Sequence, residues 1–169
     1  LGVETVVTFS GCPGSDPRAT TPNWIVAPWP PEFSAALEWQ WRERLLPYWK
    51  QAATLCRKAG VRVAIEMHPN FSVYNPETMN RLRSLAPSVI GCNFDPSHLF
   101  WQGMDPVAAI KALAGCIFHV HAKDTRIDPQ NAAVNGTLET RGYDKLDQRS
   151  WSFRTVGFGH GADFWGDFV

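Results

Sequence analysis

The sequence has no excess of charge, no paired cysteines and no long hydrophobic run. Sixteen Lys and Arg residues balance sixteen Asp and Glu residues, so we expect neither a nucleic-acid partner nor a membrane partner. The four cysteines form no C-x-x-C pair, which argues against a zinc knuckle or a disulfide scaffold and fits the reducing cytoplasm. No apolar stretch approaches the ~18 residues of a membrane-spanning helix. We also expect no secretory signal peptide.

Apolar residues make up 44% of the chain, which is sufficient for a folded core. The 169 residues correspond to about one domain, and we predict that 1–169 belong to a single domain. The chain begins with Leu1 rather than Met, and it ends at Val169 inside a predicted amphipathic helix. We therefore expect a fragment of a longer domain.

Strands and helices alternate along the chain. The predicted elements are strands at 4–9, 61–67, 89–94, 116–120 and 153–156, and helices at 34–59 (kinked or divided in two by Pro47), 75–86, 105–113 and from 163. This alternation predicts βαβ units and a parallel sheet, whose apolar strands are covered on both faces. An open doubly wound sheet and a closed (β/α)₈ barrel both fit this pattern. Two long segments without periodicity, 11–33 and 125–150, are predicted as loops that cover a binding site.

Three polar side chains stand at the carboxyl ends of consecutive predicted strands, namely Glu66, Asp95 and His121. In either α/β architecture this rim is where ligands bind. Two carboxylates and an imidazole form a mixed oxygen and nitrogen site for one divalent ion such as Mn²⁺, Mg²⁺, Co²⁺ or Zn²⁺. Simpler interpretations stay open: Asp95 caps the next helix, and Glu66 belongs to a buried ion pair.

Four motifs occur in order along the chain: E-M-H-P at 66–69, D-P-S-H at 95–98, H-V-H-A-K-D at 119–124 and V-G-F-G-H-G at 156–161. With these motifs the chain resembles the xylose isomerase-like TIM-barrel superfamily. This superfamily includes sugar phosphate isomerases and epimerases, inosose dehydratases and endonuclease IV. The resemblance implies a (β/α)₈ barrel, present here as a partial barrel of about strands three to seven.

The resemblance also implies roles for individual residues. Glu66, Asp95 and His121 take the positions of three metal ligands, and the fourth ligand, a glutamate, is expected beyond Val169. Glu66 is in addition the predicted catalytic base. Candidate substrate-binding residues are His68, His98, Lys123 and Arg126. Two alternatives remain, since Lys123 and Asp124 could form a local ion pair, and His68 and His160 could satisfy only loop backbone.

The implied activity is a metal-dependent sugar or sugar phosphate isomerase or epimerase. It acts by abstraction of a proton next to a carbonyl, through a metal-stabilised enediolate. Two other interpretations stay open, a lyase of the inosose or dehydroshikimate dehydratase type and a non-catalytic sugar-binding barrel. The neutral charge and the absence of an Asp-x-His pair before the G-x-G turn argue against an endonuclease. We expect a small polyol or sugar substrate, and a homo-oligomer is compatible with the sequence.

Overall fold

The computed structural model describes residues 2–169, so Leu1, at the expected start of the fragment, lies outside the described residues. The chain forms two compact units. The first comprises residues 2–94 and Leu113–His119, and the second comprises Asp95–Ala112 and Val120–Val169. The single-domain assignment of 1–169 stays a prediction. No helix within residues 2–169 has both the length and the apolar character needed to cross a membrane.

A four-stranded sheet with the order β1-β2-β3-β4 is the centre of the first unit. Its elements are β1 (Thr5–Phe9), α1 (Pro31–Trp39), a π-helical segment (Gln40–Leu45), α2 (Leu46–Lys58), β2 (Arg62–Glu66), α3 (Pro76–Arg83), β3 (Ile90–Phe94) and β4 (Ile117–Val120). The pairs β1–β2 and β2–β3 are parallel. The predicted α/β fold is therefore confirmed.

Strands β2 and β3 form the core of this sheet. Every residue of β3 is buried, as is every residue of β2 after Arg62, and helices α2 and α3 contact β2 and β3 respectively. Gly91 allows the close approach of β4, because a Cβ atom at this position would lie about 2.5 Å from the ring of Phe118. The two strands end together, with Glu66 paired in register with Asn93.

The predicted helix at 34–59 is continuous but changes its geometry before Pro47. Proline has no N–H with which to bond the preceding turn. The wider π-helical turn at Gln40–Leu45 accommodates this missing hydrogen bond without ending the helix. The buried amide of Gln40 donates hydrogen bonds to the backbone oxygens of Pro13 and Asn23, each at 2.8 Å. The long 11–30 loop is thereby anchored to the helix.

The N-cap predicted at Asn75 is confirmed. Its side-chain oxygen accepts a hydrogen bond from the Thr78 backbone N–H at 2.9 Å, and the Thr78 hydroxyl accepts one from the Asn75 N–H at 3.2 Å. This reciprocal pair is a capping box, which satisfies two N–H groups that the first turn of α3 leaves free.

The second unit differs from the sequence prediction at residues 125–150. Its elements are α4 (Pro96–Phe100), α5 (Pro106–Ala112), β5 (Asp124–Ile127), α6 (Pro129–Asn135), β6 (Trp151–Arg154) and α7 (Ala162–Phe168). The loop predicted at 125–150 is wrong in part, since it contains most of β5 and all of α6. The strand predicted at 153–156 overlaps β6, but β6 pairs antiparallel with β5 in a separate two-stranded sheet. Both strands are four residues long, too short to give a clear apolar period.

Candidate metal and active site

Glu66 ends β2 in the first unit and is 6% exposed. The Asn93 side-chain amide donates a hydrogen bond to Glu66 Oε2 at 2.8 Å, and Asn93 Oδ1 lies 2.8 Å from His119 Nδ1. Because an amide oxygen only accepts hydrogen bonds, His119 donates from Nδ1. The three side chains form one hydrogen-bonded series that fixes the position of the Glu66 carboxylate. Sequence reasoning missed Asn93, although a polar residue within the apolar strand I-G-C-N-F is a usable signal.

His68 follows β2 in the same unit. Its Nδ1 lies 2.6 Å from the Pro69 carbonyl oxygen, so Nδ1 carries the proton, and Nε2 is the ligand nitrogen when the ring is neutral. The ring packs edge-on against Phe9 and Phe71, with centroid distances of 5.1 and 5.4 Å. A donor atom of His68 lies within 4.8 Å of one from Glu66. His68 therefore bonds the loop backbone and also lies near Glu66.

Asp95 follows β3 and belongs to the second unit, where it is 1% exposed. Its Oδ1 accepts a hydrogen bond from the Ser97 N–H at 2.9 Å and so caps α4. Its Oδ2 lies 3.5 Å from His98 Nε2 and 3.5 Å from Lys123 Nζ. The helix cap considered from the sequence is present, but it uses only one of the two carboxylate oxygens.

Three predicted site residues of the second unit lie around the Asp95 carboxylate. A donor atom of His121 lies within 4.8 Å of one from Asp95, and His98, 2% exposed, packs its ring against Phe153 at 5.4 Å. Lys123 Nζ lies 3.8 Å from the Phe153 ring centroid. The structure thus brings Asp95, His98, His121 and Lys123 together, and the ion pair of Lys123 is with Asp95 rather than with Asp124.

Arg126 is not part of this group. Alternation along β5 places Thr125 and Arg126 on opposite faces of the small sheet. The Thr125 hydroxyl donates a hydrogen bond to the Ser97 backbone oxygen at 2.7 Å, so the face of Thr125 contacts the helix that Asp95 caps. Arg126 lies on the other face and is exposed.

Asp124 organises the G-F-G-H-G loop at 157–161. Its carboxylate accepts hydrogen bonds from the backbone N–H groups of Thr125, Gly157, Gly159 and His160 and from the side chains of His160 and Trp165. Desolvation by burial is the largest single influence and raises the pKa of Asp124. The hydrogen bonds from His160, Gly159 and Thr125 together outweigh it and lower the pKa to about 2. The His160 ring therefore bonds the Asp124 carboxylate rather than the loop backbone, and through this carboxylate it helps to hold the loop.

The donors in each unit suit a divalent cation. Carboxylate oxygens and imidazole nitrogens are its common protein ligands. Two such ligands, each about 2.1 Å from one ion, lie at most about 4.2 Å apart. The pairs Glu66–His68 and Asp95–His121 each lie within 4.8 Å, so small side-chain adjustments would bring either pair onto an ion. The assignment of Glu66, Asp95 and His121 to one site stays a prediction.

Comparison with known proteins supports the resemblance seen in the motifs. The chain is 41% identical over 171 residues to the uncharacterized protein YfiH of Bacillus subtilis, covering 99% of this chain and 55% of YfiH. It is 32% identical over 92 residues to inosose dehydratase of Geobacillus kaustophilus, covering 54% of this chain and 29% of that enzyme. The chain thus spans about half the length of YfiH.

The same fold is present among solved structures. The probable 3-DHS dehydratase AsbF of Bacillus anthracis superposes with a TM-score of 0.55 at 21% identity, covering 86% of this chain and 53% of AsbF. A family model described as a xylose isomerase-like TIM barrel matches residues 1–169. The chain belongs to the xylose isomerase-like TIM-barrel family, a family of enzymes.

Proposed function

We propose that this protein is a divalent-metal-dependent isomerase or epimerase of sugars or sugar phosphates, with Glu66, Asp95 and His121 as metal ligands. The observation that carries the proposal is the position of Glu66 at the carboxyl end of a parallel strand, where the Asn93 amide holds its carboxylate at 2.8 Å. Ligands bind at this rim in α/β folds. Family membership supports the same site.

Proton transfer is the step assigned to Glu66. When bound, a divalent cation would supply positive charge that offsets the negative charge developing on substrate oxygens. The Glu66 carboxylate takes the proton from the carbon next to the carbonyl, a contribution of roughly 10²–10⁴-fold in rate. Because Glu66 is 6% exposed, little water competes for the carboxylate. The Asn93 amide donates to one carboxylate oxygen and so orients the base.

Substrate binding is assigned to His68, His98 and Lys123. Lys123 is suited to a hydroxyl or an anionic group, since its side chain is 37% exposed while its ammonium group lies 3.5 Å from Asp95 Oδ2. His98 is buried beside the same carboxylate oxygen and is suited to a hydroxyl group. We further propose a small polyol or sugar substrate and, since the net charge is zero, no nucleic-acid partner. The four free cysteines support a cytoplasmic location, because thiols stay reduced there.

Dehydration is the second candidate reaction. It is favoured by the 32% identity with inosose dehydratase over 92 residues. In a dehydration the hydroxyl group leaves the second carbon from the carbonyl. The reaction begins with the same abstraction of a proton from the first carbon, so Glu66 would have the same role. The two reactions differ in the next step, because an isomerase or epimerase returns the proton and a dehydratase expels hydroxide as water.

The proposal is tested by incubating the protein and Mn²⁺ in D₂O with a panel of ketohexoses, their phosphates and inosose. We expect deuterium at the carbon next to the carbonyl in recovered sugar, and a rate at least 10²-fold lower in Glu66→Gln. Glu32→Gln, at an exposed position in α1, is the matched control and should exchange at the wild-type rate. Equal exchange in wild type and Glu66→Gln would remove Glu66 from the mechanism. Net loss of water from the sugar would identify the dehydratase.

A further inference from the structure

A cavity lies against the two-stranded sheet of the second unit. Its volume is about 340 Å³, and it is lined by Arg126, Arg154, Thr155 and Phe158. In the antiparallel register Arg126 is opposite Ser152, and Asp124 is opposite Arg154. Arg126 and Arg154 are therefore diagonal neighbours on one face, about 7–8 Å apart at their Cα atoms. Both long side chains can reach one small ligand.

The two arginines carry positive charge that nearby acids do not neutralise. Among residues 2–169, neither forms an ion pair or a side-chain hydrogen bond. Asp124, opposite Arg154, uses both oxygens for the 157–161 loop. Asp128 caps α6 through the Asn131 N–H at 2.8 Å. Like charges held on one face of a strand pair repel each other, and a bound anion would relieve this repulsion.

A smaller cavity of about 180 Å³ adjoins the same face. Arg126 and Arg154 line it together with Asp128, Leu146, Arg149, Trp151 and Ser152. The guanidinium group of Arg149 is already engaged, since it donates to the backbone oxygens of Trp151 and Arg141. Arg126 and Arg154 are thus shared by both cavities and keep their donors available for a ligand.

We propose that Arg126 and Arg154 form an anion-binding site for the phosphate or carboxylate group of a small organic molecule. Guanidinium groups bind both kinds of oxyanion through paired N–H donors. Phe158, which is 73% exposed, offers an apolar surface for the remainder of the ligand. The site is on the face opposite Thr125, away from the helix that Asp95 caps. It requires neither a metal ion nor turnover, so it stands independently of the proposed function.

The test is calorimetric titration of the protein with inorganic phosphate and with malonate. We expect saturable binding of both anions to the wild type. Binding should weaken at least tenfold in Thr155→Glu, because this exposed position lines the cavity and the new carboxylate would compete with the anion for the arginines. Thr155→Gln is the matched neutral control and should bind within about twofold of wild type. Arg126→Gln and Arg154→Gln should each weaken binding at least fivefold, whereas Arg57→Gln, on α2, should not.

Displacement experiments identify the source of the anion. A ketohexose phosphate that displaces inorganic phosphate would identify a phosphorylated sugar as the ligand, and displacement by malonate alone would identify a carboxylated molecule. Absence of saturable binding of both probes to the wild type would overturn the proposal, as would equal binding by Thr155→Glu and Thr155→Gln. Circular dichroism of each variant verifies that it is folded.

Discussion

Asp95 and Asp124 are two aspartates of the same unit, 1% and 0% exposed, yet their carboxylates have different surroundings. Asp124 accepts six hydrogen bonds, four of them from backbone N–H groups. Asp95 accepts one backbone hydrogen bond through Oδ1, while Oδ2 lies 3.5 Å from the polar groups of both His98 and Lys123. Burial alone therefore does not distinguish the two residues.

The difference separates a structural carboxylate from one that can bind a ligand. Three of the four backbone donors around Asp124 belong to a loop more than thirty residues away in sequence, so its charge is used to hold that loop in place. Oδ2 of Asp95 faces a lysine and an imidazole, which are groups that also interact with substrates and metal ions. Substitutions at both aspartates and in the loop, together with acid denaturation, would break or sharpen this distinction.

Asp124→Asn should have the largest effect on stability. The asparagine NH₂ group would face N–H donors, which leaves buried donors without an acceptor. We expect the free energy of unfolding to fall by about 3–5 kcal/mol, measured by urea denaturation. Asp147→Asn, at an exposed position, is the control and should change it by less than about 0.5 kcal/mol. A loss below about 1 kcal/mol in Asp124→Asn would show that Asp124 does not hold the loop.

Acid should remove a smaller part of the same stabilisation. The pKa of Asp124 is lowered from 3.8 to about 2, so the folded state favours the ionised carboxylate. The resulting contribution of about 2 kcal/mol is present above about pH 4 and is lost as the pH falls through about 2. Denaturation of wild type and Asp124→Asn at several pH values measures this contribution. If the unfolding free energies of the two proteins differed by the same amount at pH 5 and at pH 2, this result would contradict the lowered pKa of Asp124.

Gly159→Ala tests the fit of the loop around Asp124. A Cβ atom at this position would lie 2.6 Å from Asp124 Oδ1 and would also contact the Thr125 carbonyl oxygen. We expect a loss of about 1–2 kcal/mol in unfolding free energy. Gly161→Ala is the matched control, because a Cβ atom there meets nothing within 4 Å. Equal effects of the two substitutions would mean that the loop adjusts freely.

Asp95→Asn should change stability least. The asparagine oxygen can still accept the hydrogen bond from the Ser97 N–H, and the Lys123 side chain is 37% exposed and therefore solvated when its partner is lost. We expect a change below about 1 kcal/mol in the same urea measurement. A loss as large as that of Asp124→Asn would place Asp95 among the structural carboxylates.

The sequence was sufficient for the elements whose signals are local. The apolar runs of β2 and β3 and the Asn75-Pro76 cap of α3 were predictable because each signal lies within a few adjacent residues. Pro47 indicated an irregularity in the long helix, a kink or a division in two, and the structure has a π-helical segment just before this proline. Local sequence does not determine which form such an irregularity takes.

Features that depend on distant contacts were not predictable. Strand β5 is polar and short, and its pairing with β6 joins Asp124 to Arg154 across thirty residues. The role of Asp124 depends on the 157–161 loop in the same way. The interaction of Asn93 with Glu66 depends on strand register, which a pattern of apolar residues does not specify at the level of individual side chains.

Metal binding tests the central claim most directly. We would titrate Mn²⁺ into wild type and into Glu66→Gln, Asp95→Asn and His121→Gln, following the signal of free Mn²⁺ by electron paramagnetic resonance. The account predicts about one Mn²⁺ per wild-type chain and at least tenfold weaker binding in each variant, with Asp95→Asn keeping nearly its full stability to urea. Wild-type Mn²⁺ affinity in Asp95→Asn would contradict the assignment of Asp95 as a metal ligand and, with it, the distinction drawn between Asp95 and Asp124.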